Sequence, residues 1–130
     1  MNALQQKMFV RTDTDIVNAR MAVREFARNC GFGSRDQACI SLVSASVVGS
    51  LGLGKNTDGA SIEILMEYFE SDHKHGVRVS CIKCHARTTD REVTDRLKSA
   101  YLLVDDIQMK PASLDGLEVI VTKWNSSYKG

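Results

Sequence analysis

Four cysteines and three histidines carry the most reactive side chains of these 130 residues, and three of the seven stand in one short run, Cys81-Ile82-Lys83-Cys84-His85. Read as a string, the run is a c-type haem attachment pattern, and with His73 and His75 it also offers thiolate and imidazole ligands to zinc. Zinc needs ligands that converge on one point. Residues three apart in a strand project to opposite faces, so Cys81 and Cys84 diverge if the segment is extended. A redox dithiol is disfavoured because the pair does not open a helix that could lower a thiol pKa. Haem attachment follows export, and the start of the chain, residues 1–7, is polar and lacks the apolar stretch of an export signal. We therefore expect neither metal nor haem, and reduced thiols in place of a disulfide framework.

Two further patterns suggest binding chemistry. Gly49-Ser50-Leu51-Gly52-Leu53-Gly54-Lys55 imitates a phosphate-binding P-loop, but such a loop needs a strand before it, a helix after it and a hydroxyl following the lysine. The periodicity here puts a helix before and a strand after, and Asn56 stands where the hydroxyl belongs, so the segment reads as a helix-ending loop. Arg20 and Arg24 lie one helical turn apart, with Asp13 and Asp15 just ahead. Taken singly, each charge is a solvated helix face.

The elements that position these residues follow from composition and period. Apolar content of 43% can form a core and 25% charged residues keep the chain soluble, which suits one domain over residues 1–130. Seventeen basic against sixteen acidic side chains, with no block of one sign, argue against a broad nucleic-acid footprint. No apolar run approaches the length of a membrane span, so we expect a cytoplasmic protein.

Residues 7–11 read as a strand. The cluster at 12–15 supplies N-cap chemistry for a helix whose face is Ile16, Ala19, Val23, Phe26, Ala27 and Cys30, ended by Gly31. Ser34 with Gln37 reads as a capping box opening a second, more apolar helix through Ile40, Leu42, Val43, Val47 and Val48. Past a loop at 52–60 the period changes to two. Ile62, Ile64, Met66 and Tyr68 share one strand face, a turn at 71–76 reverses the chain, and Val77, Val79 and Cys81 begin the return strand. Thr89 with Glu92 caps a third helix carrying Val93, Leu97, Ala100, Tyr101 and Val104. A strand at 107–110, a turn at 111–116 and a closing strand at 117–124 follow. The order β-α-α-β-β-α-β-β predicts a two-layer α/β sandwich, with three helices on one face of a mixed, mainly antiparallel sheet and Phe26, Val43, Val47, Leu97 and Val104 buried between the layers.

Several stretches then resemble one family. Asp15-Ile16-Val17-Asn18-Ala19-Arg20, Gly31-Phe32-Gly33, Asp36-Gln37 and Thr122-Lys123-Trp124 are similar, in this order, to segments of the anti-sigma-factor serine kinases of the RsbT, RsbW and SpoIIAB kind, over roughly residues 10–125. The resemblance implies the Bergerat sandwich of the GHKL ATPases. It also implies a Glu-x-x-x-Asn box on the second helix for catalysis and Mg²⁺, an Asp-x-Gly-x-Gly motif for adenine on the third strand, and a glycine-rich lid before the last helix. Ser46 and Ser50 occupy the first box. Ile82-Lys83-Cys84-His85-Ala86 occupies the second, without carboxylate or glycine, and residues 88–90 lead almost directly into the helix where the lid belongs. A serine hydroxyl is neither an effective general base at neutral pH nor a strong Mg²⁺ ligand. The small residues Ser41, Ser44, Ser46, Gly49 and Ser50 mark the side of the second helix that would face nucleotide, and we read them as packing residues.

The function expected on this resemblance is that of a pseudokinase: a non-catalytic regulator of a bacterial partner-switching system, without cofactor, docking a STAS-domain antagonist, a sigma factor or another regulator. A homodimer is left open, and no nucleic acid or membrane partner is expected. The resemblance makes Arg20 and its neighbour Arg24 the partner-binding residues. The alternatives are an ATP-binding serine kinase with an atypical site and, more remotely, a metal or redox protein using the cysteines.

Overall fold

The computed structural model describes residues 5–52, 61–86 and 89–125. After strand β1 (Gln5–Val10), Thr12 starts α1 (Asp13–Asn29) as its N-cap. The Thr12 hydroxyl accepts the Asp15 N–H at 3.2 Å, and the Asp15 carboxylate accepts the backbone N–H groups of Arg11 and Thr12 at 2.9 and 3.2 Å. These bonds, the Arg11 N–H foremost, hold the Asp15 carboxyl below its ordinary pKa. Ala19, Val23, Phe26 and Ala27 form the buried face, and Gly31 ends the turn at φ +90°, where a side chain would be strained.

Helix α2 (Ser34–Ser50) begins differently from expectation. Its N-cap is Gly33, which has no side chain to bond with, and Ser34 is already helical, so there is no capping box. Gln37 turns inward, where its Nε2 donates to the Phe32 carbonyl at 2.7 Å. Ile40, Val43, Val47 and Val48 are fully buried, whereas Leu42 is exposed. The third helix is also shorter than its apolar stripe suggests. Thr89 and Glu92 do form a capping box, but α3 (Asp90–Arg96) stops and a 3₁₀ turn (Ser99–Leu102) continues the chain. The tighter period keeps Leu97 and Val104 buried while turning Tyr101 and Leu102 outward, Leu102 to 88% exposure.

Strands β2 (Ile62–Ser71) and β3 (Lys74–Lys83) form a hairpin whose turn is tighter than the expected 71–76. Only Asp72 and His73 lie between the strands, both at positive φ, as a two-residue hairpin turn requires. Strands β4 (Asp106–Ala112) and β5 (Gly116–Trp124) make a second hairpin. Pro111 is tolerated inside β4 because that strand lies at the sheet edge. The sheet order is β1-β2-β3-β5-β4, and every pairing is antiparallel, which corrects the expected mixed sheet. The chain leaves β3, crosses by α3 to the far edge and returns along β5, so β5 meets β3 in the antiparallel sense.

One sheet face carries the core. Ile62, Ile64, Met66, Val77, Val79, Cys81, Val119 and Val121 are fully buried beneath the helices, against Phe26, Val43 and Val47. The architecture is an α/β sandwich with a five-stranded antiparallel sheet. No helix among the described residues is long and apolar enough to cross a membrane.

Candidate functional site

Arg20 and Arg24 project from the outer side of α1, away from its buried face. Between and beside them, at helical spacings of three and four, stand Val17 and Met21, 58% and 65% exposed. The four side chains form one patch of two guanidinium groups and two uncovered apolar groups. Neither arginine makes an ion pair with another described residue, whereas Arg28, one turn further on, is held by Glu25 at 2.7 Å. Such a surface suits a protein partner: the arginines offer fork-shaped donors to carboxylates, and the apolar pair supplies contact area. Sequence reasoning had singled out the arginines but not Val17 and Met21. The signal was present, because both fall outside the Ile16, Ala19, Val23, Phe26 stripe of the same helix.

A second candidate lies at the C-terminal end of α2, where Ser46 and Ser50 sit. The Ser46 hydroxyl donates to the Leu42 carbonyl at 3.0 Å, and that of Ser50 to the carbonyls of Ser46 and Val47 at 2.8 and 3.1 Å. Both are turned back on the helix. Of the stripe read as small packing residues, Ser41, Ser44 and Ser50 are buried, while Ser46 and Gly49 are exposed. The helix terminus itself is capped by cations from two other elements. Lys83, only 9% exposed, donates from Nζ to the Leu51 carbonyl at 3.1 Å, and Arg96 donates from Nη1 to the Ser50 carbonyl at 2.9 Å. Cationic donors at the negative end of a helix satisfy carbonyls that would otherwise lack partners. Lys83 and Arg96 are the functional-looking residues that sequence reasoning missed. A lysine alternating with Val79 and Cys81 on a buried strand face was the available clue.

The neighbouring residue Ile82 lies on the opposite side of the sheet, in one cross-strand row with Glu63 and Glu118. Beyond β3 the chain is tied down: His85 and Ala86 donate their backbone N–H groups to the carbonyls of Leu114 and Asp115 at 2.9 and 3.1 Å. Of the lid position at 88–90, residue 88 lies outside the described residues, as does the end of the P-loop-like segment, residues 53–55. Its described start is the end of α2, and β2 follows it.

The cysteine and histidine cluster disperses. Cys81 is fully buried among core residues, and Cys84 lies just past the end of β3. His75 sits near the start of β3, about 26 Å from Lys83 at its end at the strand rise of roughly 3.3 Å per residue, and His85 lies in the turn beyond. His75 instead stacks on Tyr68 and bonds its hydroxyl. Burial first, then the carboxylate of Glu70, pushes that phenol up to about 12. No group of three or more His, Cys, Asp or Glu among the described residues is arranged to hold a metal ion. Burial pushes the thiols of Cys81 and Cys30 up to about 12 and about 11, which suppresses their thiolates at neutral pH. A thiol reagent applied to the native protein should therefore modify the half-buried Cys39 and Cys84 first and Cys81 only on unfolding, read by mass spectrometry of the digest. Prompt labelling of Cys81 would contradict the burial.

Three of the four segments that carried the family resemblance meet at one corner of the molecule, while the fourth, residues 15–20, lies in the first half of α1 and includes Arg20. Asp36 pairs with Lys123 at 3.5 Å, Asn125 donates from its side chain to the Gly31 carbonyl at 3.2 Å, and the Trp124 N–H donates to Asp105 at 2.7 Å. These bonds tie the α1–α2 turn to the end of β5. No protein-family model and no curated protein matches this chain.

Proposed function

We propose that the chain is a non-catalytic regulatory binding protein: a pseudokinase with the Bergerat fold of the anti-sigma-factor serine kinases, which docks a STAS-domain antagonist, a sigma factor or a related regulator in a bacterial partner-switching system. It works in the cytoplasm without a cofactor. The observation that carries this reading is the capping of α2. Where the resemblance puts a catalytic carboxylate and a Mg²⁺-holding amide, the helix ends in two serines turned back on their own backbone, with Lys83 and Arg96 bonded to its last carbonyls. A magnesium nucleotide would need anionic or neutral oxygen ligands at this position, and the two serine hydroxyls are spent on their own helix carbonyls. The Arg20 and Arg24 patch on α1 supports docking as the remaining activity.

The test is a binding measurement on purified STAS-domain proteins and sigma factors of the source organism. The double variant Arg20→Glu, Arg24→Glu should weaken the cognate complex roughly a hundredfold, as charged interface anchors do. Because both side chains are exposed, unfolding should change by no more than about 0.5 kcal/mol. Unchanged binding by the variant, or no binding to any candidate, would refute the assignment.

A further inference from the structure

The side of the sheet turned away from the helices carries a depression of about 530 Å³, within the size range of small-molecule sites. Ser80, on the central strand β3, forms part of its floor: the residue is 4% exposed, and its hydroxyl bonds to no other described residue. A buried hydroxyl is rarely left without a partner. Two residues before it on the same face, Arg78 lies with its guanidinium 4.4 Å from the centre of the Phe69 ring, a contact that orients the fork and leaves its N–H groups unused. Glu67 stands directly across from Arg78 in the register, yet it takes the Gln5 amide at 3.2 Å instead. The other carboxylates around the depression are held as well, Glu118 by Lys110 at 3.7 Å and Asp106 by the Gln108 amide at 2.9 Å. Arg78 is thus a cation of this depression with no hydrogen bond or ion pair to a described residue.

We infer that the depression binds a small organic carboxylate with a flat apolar body, whose oxygens take the N–H fork of Arg78 and the hydroxyls of Ser80 and Thr122 while the body lies against Ile120 and Trp124. Thr122 is the cross-strand partner of Arg78, and Ile120 that of Ser80, so these four side chains form one block on the floor. A planar carboxylate accepts two parallel N–H bonds from a guanidinium, which a ring contact has already laid flat. The surrounding charge narrows the class further. Glu67, Asp106 and Glu118 stand around the site, so a phosphate with up to two negative charges meets more repulsion than a carboxylate with one. A cationic ligand would meet the uncompensated Arg78 and find those carboxylates already engaged. The depression and the α1 patch lie on opposite sides of the sheet, so this inference is independent of the proposed docking.

Titration of the isotope-labelled full chain with benzoate, phenylacetate and indole-3-acetate, followed by NMR, tests it. At least one of the three should saturate with a Kd of about a millimolar, as suits so small a ligand, and should shift the Arg78 side-chain N–H and the amides of Ser80 and Thr122 together. Arg78→Met, which keeps an apolar stem over Phe69, should weaken that binding by about tenfold or more, and Ser80→Ala by about threefold. Thermal melts of both variants should stay cooperative, because neither side chain belongs to the hydrophobic core. Benzamidine, with the same body and the opposite charge, and inorganic phosphate should not saturate the site. Three carboxylates that fail to saturate overturn the inference, whether the depression is open or closed by another molecule of the chain. So do shifts confined to other parts of the protein, an Arg78→Met variant that binds as well as the unmodified chain, or phosphate or benzamidine binding as tightly as the carboxylates.

Discussion

Replacing Lys123 by methionine should lower the free energy of unfolding by about 3 kcal/mol, the range seen when one partner of a buried ion pair is removed. Lys123 has its ammonium 3.5 Å from the carboxylates of both Asp36 and Asp105, and its side chain is 12% exposed. Asp36 is 5% exposed, so the methionine variant leaves a carboxylate in the interior without this counter-charge, between the start of α2 and the end of β5. Asp105 is 41% exposed, and Asp105→Asn should cost no more than about 1 kcal/mol. Urea denaturation of the two variants measures the difference. Equal losses would show that the pair is not buried in the sense argued here.

Gly116→Ala should cost about 2–3 kcal/mol, because the added methyl group meets atoms that cannot move away. A Cβ there would stand 2.7 Å from the Lys83 carbonyl oxygen and 2.8 Å from that of Ser113, both backbone atoms. The same turn accepts the N–H groups of His85 and Ala86, so a shift that relieves the clash also pulls on the segment leaving β3. Gly76→Ala provides the contrast. Its Cβ would meet the Phe69 ring at 2.6 Å, but a side-chain ring can swing aside at the expense of its contact with Trp124. The loss should be smaller, and the reverse order in chemical denaturation would contradict this account of the two glycines.

The sequence made the layers legible because their signals are local. Thr12 and Thr89 cap helices where their spacing to Asp15 and Glu92 says they should, and the alternation of Ile62, Ile64 and Met66 with Val77, Val79 and Cys81 places the core face of the hairpin. What was not legible depends on tertiary partners. Ser34 and Gln37 have the spacing of a capping box, but the Phe32 carbonyl competes for the Gln37 amide and wins. The third helix tightens after Arg96 because packing, not propensity, decides which of Tyr101 and Val104 goes inside. Period alone could not say that β5 would lie antiparallel beside β3. Arg20 and Arg24 were legible as site residues only through the resemblance. The capping by Lys83 and Arg96 was not legible, because the carbonyls they bond lie 32 and 46 residues away in the chain; only the place of Lys83 on a buried strand face hinted at it.

Titration with Mg-ATP tests the central claim most directly. A ligand that binds only the folded state raises stability by RT ln(1 + [L]/Kd), about 2.7 kcal/mol at a hundredfold excess over Kd, so millimolar nucleotide would reveal even a modest site as a shift in Tm. The serines turned back on α2, the carboxylate missing at Ile82 and the pinned exit from β3 predict no shift and no heat of binding. Micromolar affinity for Mg-ATP, or transfer of its γ-phosphate to a STAS-domain serine, would contradict the pseudokinase reading and make the chain an active kinase with an atypical site.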